Sequence, residues 1–309
     1  MGADSPSILT TGGTGLVGRA IVRRLLATGQ SVRVISRGNE YPALPGVSIL
    51  RGDVTSVGDV ASAMRGCHAV FHCAAEKHDR ARMAAVNVVA TRLLLDLACD
   101  LKVAFFCHLS SVGVIGRTGT RIVDEAAPCN PTSLYAETKL AAEEIVRGGL
   151  PGGSVVILRP TNIFGPETLG PWLQNSLRSK VRAFLNGRER AHLIYVEDVA
   201  AAAVHWLQTS SGGRVETFIV SSDEEPGNTN NEVRVALASM VETATPPCRF
   251  SVPLWVPTCA RAIRHGHGNL GKVIYSSRRL HQTGYRLPFG LRNGLNDAVR
   301  LWRAAQTTG

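Results

Sequence analysis

No apolar run in this 309-residue chain approaches the ~18 residues of a membrane-spanning helix. The opening Met1-Gly2-Ala3-Asp4-Ser5 has no basic segment leading into an apolar one, so no secretory signal is visible. The seven cysteines (Cys67, Cys73, Cys99, Cys107, Cys129, Cys248 and Cys259) include no Cys-x-x-Cys pair. Several fall inside apolar stretches, as reduced core cysteines do. These absences point to a cytoplasmic protein with no membrane partner and no structural disulfides. His265-Gly266-His267-Gly268 lacks the Cys or carboxylate neighbours of a metal site, so no metal is expected. There are no internal repeats and no low-complexity tail.

What the chain does carry is positive charge. The formal net charge is +10, and much of it lies C-terminal, including Arg261, Arg264, Lys272, Arg278, Arg279, Arg286, Arg292, Arg300 and Arg303. No basic run is interleaved with aromatic residues, so nucleic acid is not the expected partner. Most of these residues read as a solvated surface, with attraction of an anionic small molecule as the alternative.

The first half alternates strands (7–11, 31–36, 48–50, 69–73, 104–109, 154–159) with helices (15–28, 56–65, 82–100, 133–148, and later 197–209). That alternation predicts an α/β fold of the Rossmann type, a doubly wound parallel sheet covered on both faces. After Pro160 the pattern loosens around Gly165-Pro166, Gly170-Pro171, residues 223–230, Pro246-Pro247, Pro253 and Pro257. A dinucleotide-binding domain is expected over 1–160, with 193–222 returning to it. A smaller substrate-binding lobe is expected over 161–192 and 223–309, laid over the carboxyl edge of the sheet.

The first strand runs into Thr11-Gly12-Gly13-Thr14-Gly15-Leu16-Val17-Gly18 and then a helix. Gly12 permits the turn, Gly15 lets backbone approach a pyrophosphate, and Gly18 lets helix pack on strand. The helix N-terminus faces the anion with free N–H groups and the positive end of its dipole.

Tyr135 and Lys139 lie four apart and share a helix face. An ammonium beside a phenol favours the phenolate. To act near neutrality the phenol must shift by about 3 units, a demand that Lys139 and a cationic nicotinamide would have to meet together. Upstream, Phe105-Phe106-Cys107-His108-Leu109-Ser110-Ser111 is a strand ending in two serines. A hydroxyl there can hold a carbonyl or alcohol oxygen against Tyr135.

Together with Gly52-Asp53-Val54, Val70-Phe71-His72-Cys73-Ala74-Ala75, Asn87, Leu158-Arg159-Pro160-Thr161-Asn162-Ile163-Phe164-Gly165-Pro166 and Tyr195-Val196-Glu197-Asp198-Val199-Ala200, these motifs resemble the extended short-chain dehydrogenase/reductases, in their epimerase/dehydratase branch. The resemblance implies that Asp53 and Val54 contact adenine and that Ala74 and Ala75 line the cofactor, with Asn87 and Pro160 also in its site. It implies Ser111 as the catalytic hydroxyl, Tyr135 as acid/base and Lys139 as holder of the nicotinamide ribose. A homodimer is usual for the family. Ala90 stands where the family often has glycine. Members lacking catalysis, such as NADP sensors, typically lose the tyrosine or lysine, and both are present here.

Two choices follow from single positions. The second strand ends Ser36-Arg37, where NAD-binding members usually carry an acidic residue, so NADP is expected, with NAD second. The 4,6-dehydratases place Asp-Glu after the catalytic hydroxyl, and the 3,5-epimerising reductases a cysteine two residues on. Val112 and Gly113 stand there instead, which leaves reduction or epimerisation at a ketone or secondary alcohol. The expected substrate is a nucleotide-linked keto-sugar, held by Ser111, Asn162, Trp172, Arg188 and Arg190. The alternative resembles 3-beta-hydroxysteroid dehydrogenases or dihydroflavonol reductases and needs an apolar cleft, which Phe250, Val252, Leu254, Trp255 and Val256 would supply.

Overall fold

The computed structural model describes residues 7–38, 45–174, 176–209, 212–242, 244, 251–256 and 272–307. The N-terminal segment Met1-Gly2-Ala3-Asp4-Ser5, Pro246-Pro247, Cys248, Phe250, Pro257, Cys259, Arg261, Arg264 and His265-Gly266-His267-Gly268 lie outside them.

Eleven strands are described: β1 (Ser7–Thr11), β2 (Val32–Ser36), β3 (Val47–Arg51), β4 (Cys67–His72), β5 (Phe105–Leu109), β6 (Ile122–Val123), β7 (Ser154–Pro160), β8 (Asn162–Phe164), β9 (Leu193–Tyr195), β10 (Val215–Val220) and β11 (Ile274–Tyr275). Seven form one sheet in the order β10-β7-β5-β4-β1-β2-β3. Its β1–β2, β2–β3, β1–β4, β4–β5 and β5–β7 pairs are parallel. Strands buried on both faces need continuous apolar runs. Ile8-Leu9, Ala69-Val70-Phe71 and Val155-Val156-Ile157-Leu158 supply them and are almost wholly buried. The order reverses direction between β1 and β4, and the carboxyl edge at such a switch is where open sheets leave a crevice.

The helices of this region are α1 (Leu16–Ala27), α2 (Val57–Met64), α3 (Arg80–Ala84), α4 (Ala90–Asp100) and α5 (Leu134–Val146). Val17, Ala20, Ile21 and Leu25 give α1 its buried stripe. On α2 and α4, Val60, Met64, Leu94, Leu95 and Ala98 join Leu9, Phe106 and Ile157 in one core cluster. The single helix expected over 82–100 is interrupted by a π-helical turn at Ala85–Val89. Asn87 sits in that turn and spends its side chain on backbone outside the helix. Such turns widen a helix locally and recur at functional sites.

Chain contacts divide the molecule into two units. The first holds Met1–Val114, Pro131–Arg159 and Ala200–Phe218; the second holds Ile115–Asn130, Pro160–Val199 and Ile219–Gly309. Segment 115–130, expected in the first, falls in the second because β6 pairs with β11. Within the second unit β8 pairs with β9. The helix Gly290–Thr307 packs on β9, and Gly294 makes this possible: a Cβ there would sit 2.7 Å from Tyr195 Cβ. Buried Asp198 fixes the start of that helix by accepting the Phe289 and Gly290 N–H groups. The motif Tyr195-Val196-Glu197-Asp198 thus has a structural role, with Tyr195 donating its hydroxyl to Asp297.

Candidate active site

The glycine turn shows why each glycine is required. Gly12 has φ +65°, and a Cβ there would lie 2.6 Å from Ala74 N. One on Gly18 would lie 2.1 Å from the Gly12 carbonyl oxygen. Gly15 is different: a Cβ there meets only that same oxygen, at 3.3 Å. Gly12 and Gly18 therefore serve backbone packing, while Gly15 opens onto space. Gly15 caps α1 with no side-chain hydrogen bond, and the first turn has no acidic residue. The amides there remain available to an anion, which is how a helix N-terminus binds phosphate.

That terminus opens on a cavity of about 710 Å³, within the usual range for a small-molecule or cofactor site. Of the residues expected to bind the cofactor, Gly12, Thr14, Gly15, Ser36, Arg37, Asp53, Val54, Ala74 and Ala75 line it. Leu16, Val17, Gly18, Asn87, Tyr135, Lys139 and Pro160 are not among the lining residues. Val17, Gly18 and Asn87 are buried and support the cavity from behind. Sequence reasoning missed Arg19, Glu76, Arg82 and Val86 in the lining. Arg19 directly follows the last glycine and was open to inference. Arg82 carried no signal, since it enters through its bond to Asp53 at 3.4 Å. The Asp53 carboxyl is held below its ordinary value, first by the Thr55 backbone N–H.

Behind the cavity, one hydrogen-bond chain fixes the protonation of a buried histidine. Thr91 donates its hydroxyl to the Asn87 carbonyl, so toward His72 it can only accept, and His72 Nε2 carries the proton. His72 Nδ1 then accepts from the Thr11 hydroxyl at 2.7 Å. The Thr11 oxygen in turn accepts the Ala74 N–H. From Asn87 the chain continues through its amide to Thr138, whose hydroxyl donates to the Tyr135 carbonyl. Burial, helped by the Lys139 charge, pushes His72 down to about 3.

On α5, Tyr135, Lys139, Glu143 and Arg147 recur every fourth residue and form one stripe. Glu143 has no exposed surface and accepts four hydrogen bonds, from the Ser110 hydroxyl at 2.5 Å, Arg159 Nε at 2.9 Å, and Arg159 Nη2 and Arg147 Nη2, each at 2.7 Å. Ser110 is thereby committed to the interior. Among the described residues the neighbouring Ser111 Oγ accepts the Gly113 N–H at 3.1 Å and donates to none, which leaves its proton available. Lys139 is buried, and its Nζ lies 3.3 Å from His108 Nε2. Burial lowers the ammonium to about 8, with Glu143 pulling it back up. The Tyr135 phenol, which the sequence pattern places under the influence of Lys139, is instead pushed up to about 12 by burial. Lys77 Nζ lies 5.9 Å from its ring centroid.

The other sequence-predicted residues lie in the second unit. Asn162, Trp172 and Arg190 line a cavity of about 370 Å³, joined by Arg182, Asn186 and Asn230; Arg188 does not line it and is exposed. Asn162 donates to the Ala191 carbonyl and Arg190 to the Asp223 carbonyl. Arg234 places its guanidinium 5.2 Å from the Trp172 ring centroid. Its Nε and Nη1 are buried with no hydrogen-bond partner among the described residues. Val252, Leu254, Trp255 and Val256 line neither cavity.

A glycine turn feeding a bare helix terminus, at the switch point of a parallel sheet, defines a dinucleotide-dependent enzyme of the oxidoreductase class. The family model for the NAD dependent epimerase/dehydratase family matches residues 8–221, and the chain belongs to that family. It is 32% identical over 232 residues to the sterol demethylase protein B of Methylococcus capsulatus, covering 70% of this chain and 69% of that one. It is 32% identical over 277 residues to a 3 beta-hydroxysteroid dehydrogenase/Delta 5-->4-isomerase of Mycobacterium tuberculosis, covering 81% and 74%. The UDP-glucose 4-epimerase of Thermus thermophilus, solved with NAD, superposes with a TM-score of 0.72 at 25% identity, covering 97% and 99%.

The depressed His72 sets a pH dependence of stability. An unfolded chain protonates this ring near 6.5, while the folded ring takes a proton only near 3. Its contribution is complete above pH 6.5 and is lost as pH falls toward 3, by about 1.4 kcal/mol per pH unit. Urea unfolding at pH 7 and pH 4.5 should show a loss of about 2–3 kcal/mol from this ring, and a shallower slope in His72→Gln. Equal slopes would contradict the assignment.

Proposed function

We propose that this enzyme reduces a ketone, or oxidises the matching secondary alcohol, with Ser111, Tyr135 and Lys139 as its catalytic residues. The observation that carries this is the placement of Ser111 just past β5, its proton uncommitted among the described residues, while Tyr135 and Lys139 share one face of α5. A bound nicotinamide dinucleotide supplies the hydride. The protein's part is the proton. With its pKa near 12, Tyr135 holds its phenolic proton at neutral pH, the form that donates to a carbonyl oxygen gaining negative charge. Ser111 donates to the same oxygen. Lys139 adds a positive charge to the site, which supports transfer of the proton from Tyr135.

The cofactor we favour is NADP. Ser36 and Arg37 line the cavity where a carboxylate would repel a 2′-phosphate, and Arg19 and Arg82 add positive charge to the same wall. Asp53 is occupied by Thr55 and Arg82.

The substrate we favour is a nucleotide-linked keto-sugar. The cavity of the second unit combines Arg182, Arg190 and the flat ring of Trp172 with amide side chains. Burial and the charge of Arg182 both hold the Arg234 guanidinium below its ordinary value, and an anion would relieve that strain. A diphosphate joined to a base fits this chemistry. A second reading has the two sequence relatives in its favour: that from Methylococcus is named sterol demethylase protein B and that from Mycobacterium 3 beta-hydroxysteroid dehydrogenase/Delta 5-->4-isomerase. A sterol would need an apolar wall.

Tyr135→Phe should lower turnover ~10²-fold or more and leave dinucleotide affinity nearly intact; near-normal turnover would exclude the mechanism. Calorimetric titration should give tighter NADPH than NADH binding, with Arg37→Ala narrowing the ratio by about tenfold or more. A wild-type preference for NADH would exclude the NADP reading. UDP, dTDP or GDP should raise the melting temperature, and less so in Arg190→Ala. If all three fail at millimolar concentration while a steroid binds, the sterol reading replaces the sugar one.

A further inference from the structure

We propose that His108 is a positioning residue for Lys139, its neutral imidazole providing the buried acceptor that aims the ammonium. The proposal rests on the reading of Lys139 given above. It begins from what a buried ammonium needs. Lysine carries a compact charge on a four-carbon stem, and its three N–H groups donate only. With almost no exposed surface, Lys139 must find acceptors in the protein or in what binds to it.

The groups that face it from each neighbouring element are few. On its own helix, Glu143 lies one turn on, but its oxygens are taken by Ser110, Arg159 and Arg147. Tyr135 lies one turn back. Beyond β4, Cys73 is held as a protonated thiol by burial, and Lys77 repels. On β4, His72 has both ring nitrogens engaged by Thr11 and Thr91. On β5, His108 presents Nε2 at 3.3 Å, the one hydrogen bond of Lys139 Nζ among the described residues.

The geometry then fixes the state of His108. A donor-only ammonium requires a lone pair on Nε2, so the proton sits on Nδ1. A second cation at this distance in the interior is excluded by repulsion, and His108 is accordingly held well below its ordinary value by burial and by Lys139. The cost of the arrangement is visible. His108 is fully buried, and its Nδ1 has no partner among the described residues. An orphaned donor is a penalty that leucine or phenylalanine would avoid while filling the same strand position. It is retained alongside the acceptor that Lys139 uses. His108 also stands three residues before Ser111, so the strand that carries the anchor of the ammonium leads directly into the catalytic hydroxyl.

The test uses the full chain and two readouts. Lysine ¹³Cε-labelled protein, with the Lys139 signal assigned by Lys139→Arg, reports the titration of the ammonium. NADPH fluorescence titrations at pH 7 and pH 9 report binding. Wild type should titrate near 8. In His108→Leu the midpoint should fall by about one unit or more, because the charged form loses its acceptor, and NADPH affinity should drop at least fivefold at pH 9 relative to wild type. His108→Gln, whose Oε1 can reach the place of Nε2, should restore both; His108→Asn, one bond shorter, should not. If His108→Leu does not fold, the Gln and Asn pair decides. A His108→Leu midpoint and affinity equal to wild type, or Gln and Asn behaving alike, would overturn the proposal. Lys139→Met that turns over and binds NADPH normally would instead overturn the reading of Lys139, while the titration still answers for His108.

Discussion

The buried carboxylate of Glu143 is the constraint around which the site is organised. An ionised group with no exposed surface is tolerable only when its oxygens are filled, and removing one partner of such a pair costs about 3–5 kcal/mol. Glu143 is filled from three directions: Arg147 on its own helix, Arg159 on β7, and Ser110 at the end of β5. Each bond fixes something else. Arg159 ties α5 to the strand it covers. Ser110 pins the end of β5, and so fixes where Ser111 begins. The i, i+4 spacing then places Lys139 and Tyr135 on the same stripe, one and two turns from the anchor. Positioning of the candidate catalytic groups is thus a by-product of satisfying one interior charge.

A second set of bonds links this helix to the dinucleotide cavity. The path from the Ala74 amide through Thr11, His72, Thr91, Asn87 and Thr138 to the Tyr135 carbonyl joins polar side chains through the backbone carbonyl of Asn87. Every proton along it has one assignable direction. Such a chain tolerates few substitutions, since a reversed donor would leave two buried groups facing with like polarity. It also explains the π turn, which lets Asn87 turn its amide toward residue 76 while its carbonyl still receives Thr91. The cavity loop Ala74-Ala75-Glu76 and the Tyr135 helix are therefore held by one network.

Much of this was legible in the sequence because it is enforced locally. Strands buried on both faces require apolar runs, and β1, β2, β4, β5 and β7 were found within a residue or two of where those runs lie. The glycine turn was legible because only glycine can stand where a Cβ would fall 2.1 Å from a carbonyl oxygen. What was not legible is enforced at long range. The helices Leu177–Asn186, Asn230–Met240 and Gly290–Thr307 were not anticipated. Gly294 explains the last case: it reads as a helix breaker, yet the close approach of Tyr195 requires it. The Tyr135–Lys139 pairing read from spacing also met a competitor that spacing does not show. His108 is distant in sequence and takes the ammonium, while burial drives the phenol the other way.

The substrate was the least legible feature for the same reason. Residues that hold a dinucleotide cluster around one turn, but the cavity of the second unit draws its cations from separate places, Arg182 from a helix and Arg190 from the approach to β9, while Arg234, on another helix, lies against the Trp172 ring that lines it. No local pattern announces such a set. Its chemistry is still specific. The buried Arg234 guanidinium beside the Trp172 ring is costly, because the charge of the exposed Arg182 repels it and its Nε and Nη1 have no hydrogen-bond partner among the described residues. An apolar polycycle would leave that cost in place, whereas a diphosphate would remove it and give the ring a base to stack on. This electrostatic imbalance within the second unit is the observation behind our proposal of an anionic nucleotide substrate, set against relatives at about one-third identity whose names point to sterols.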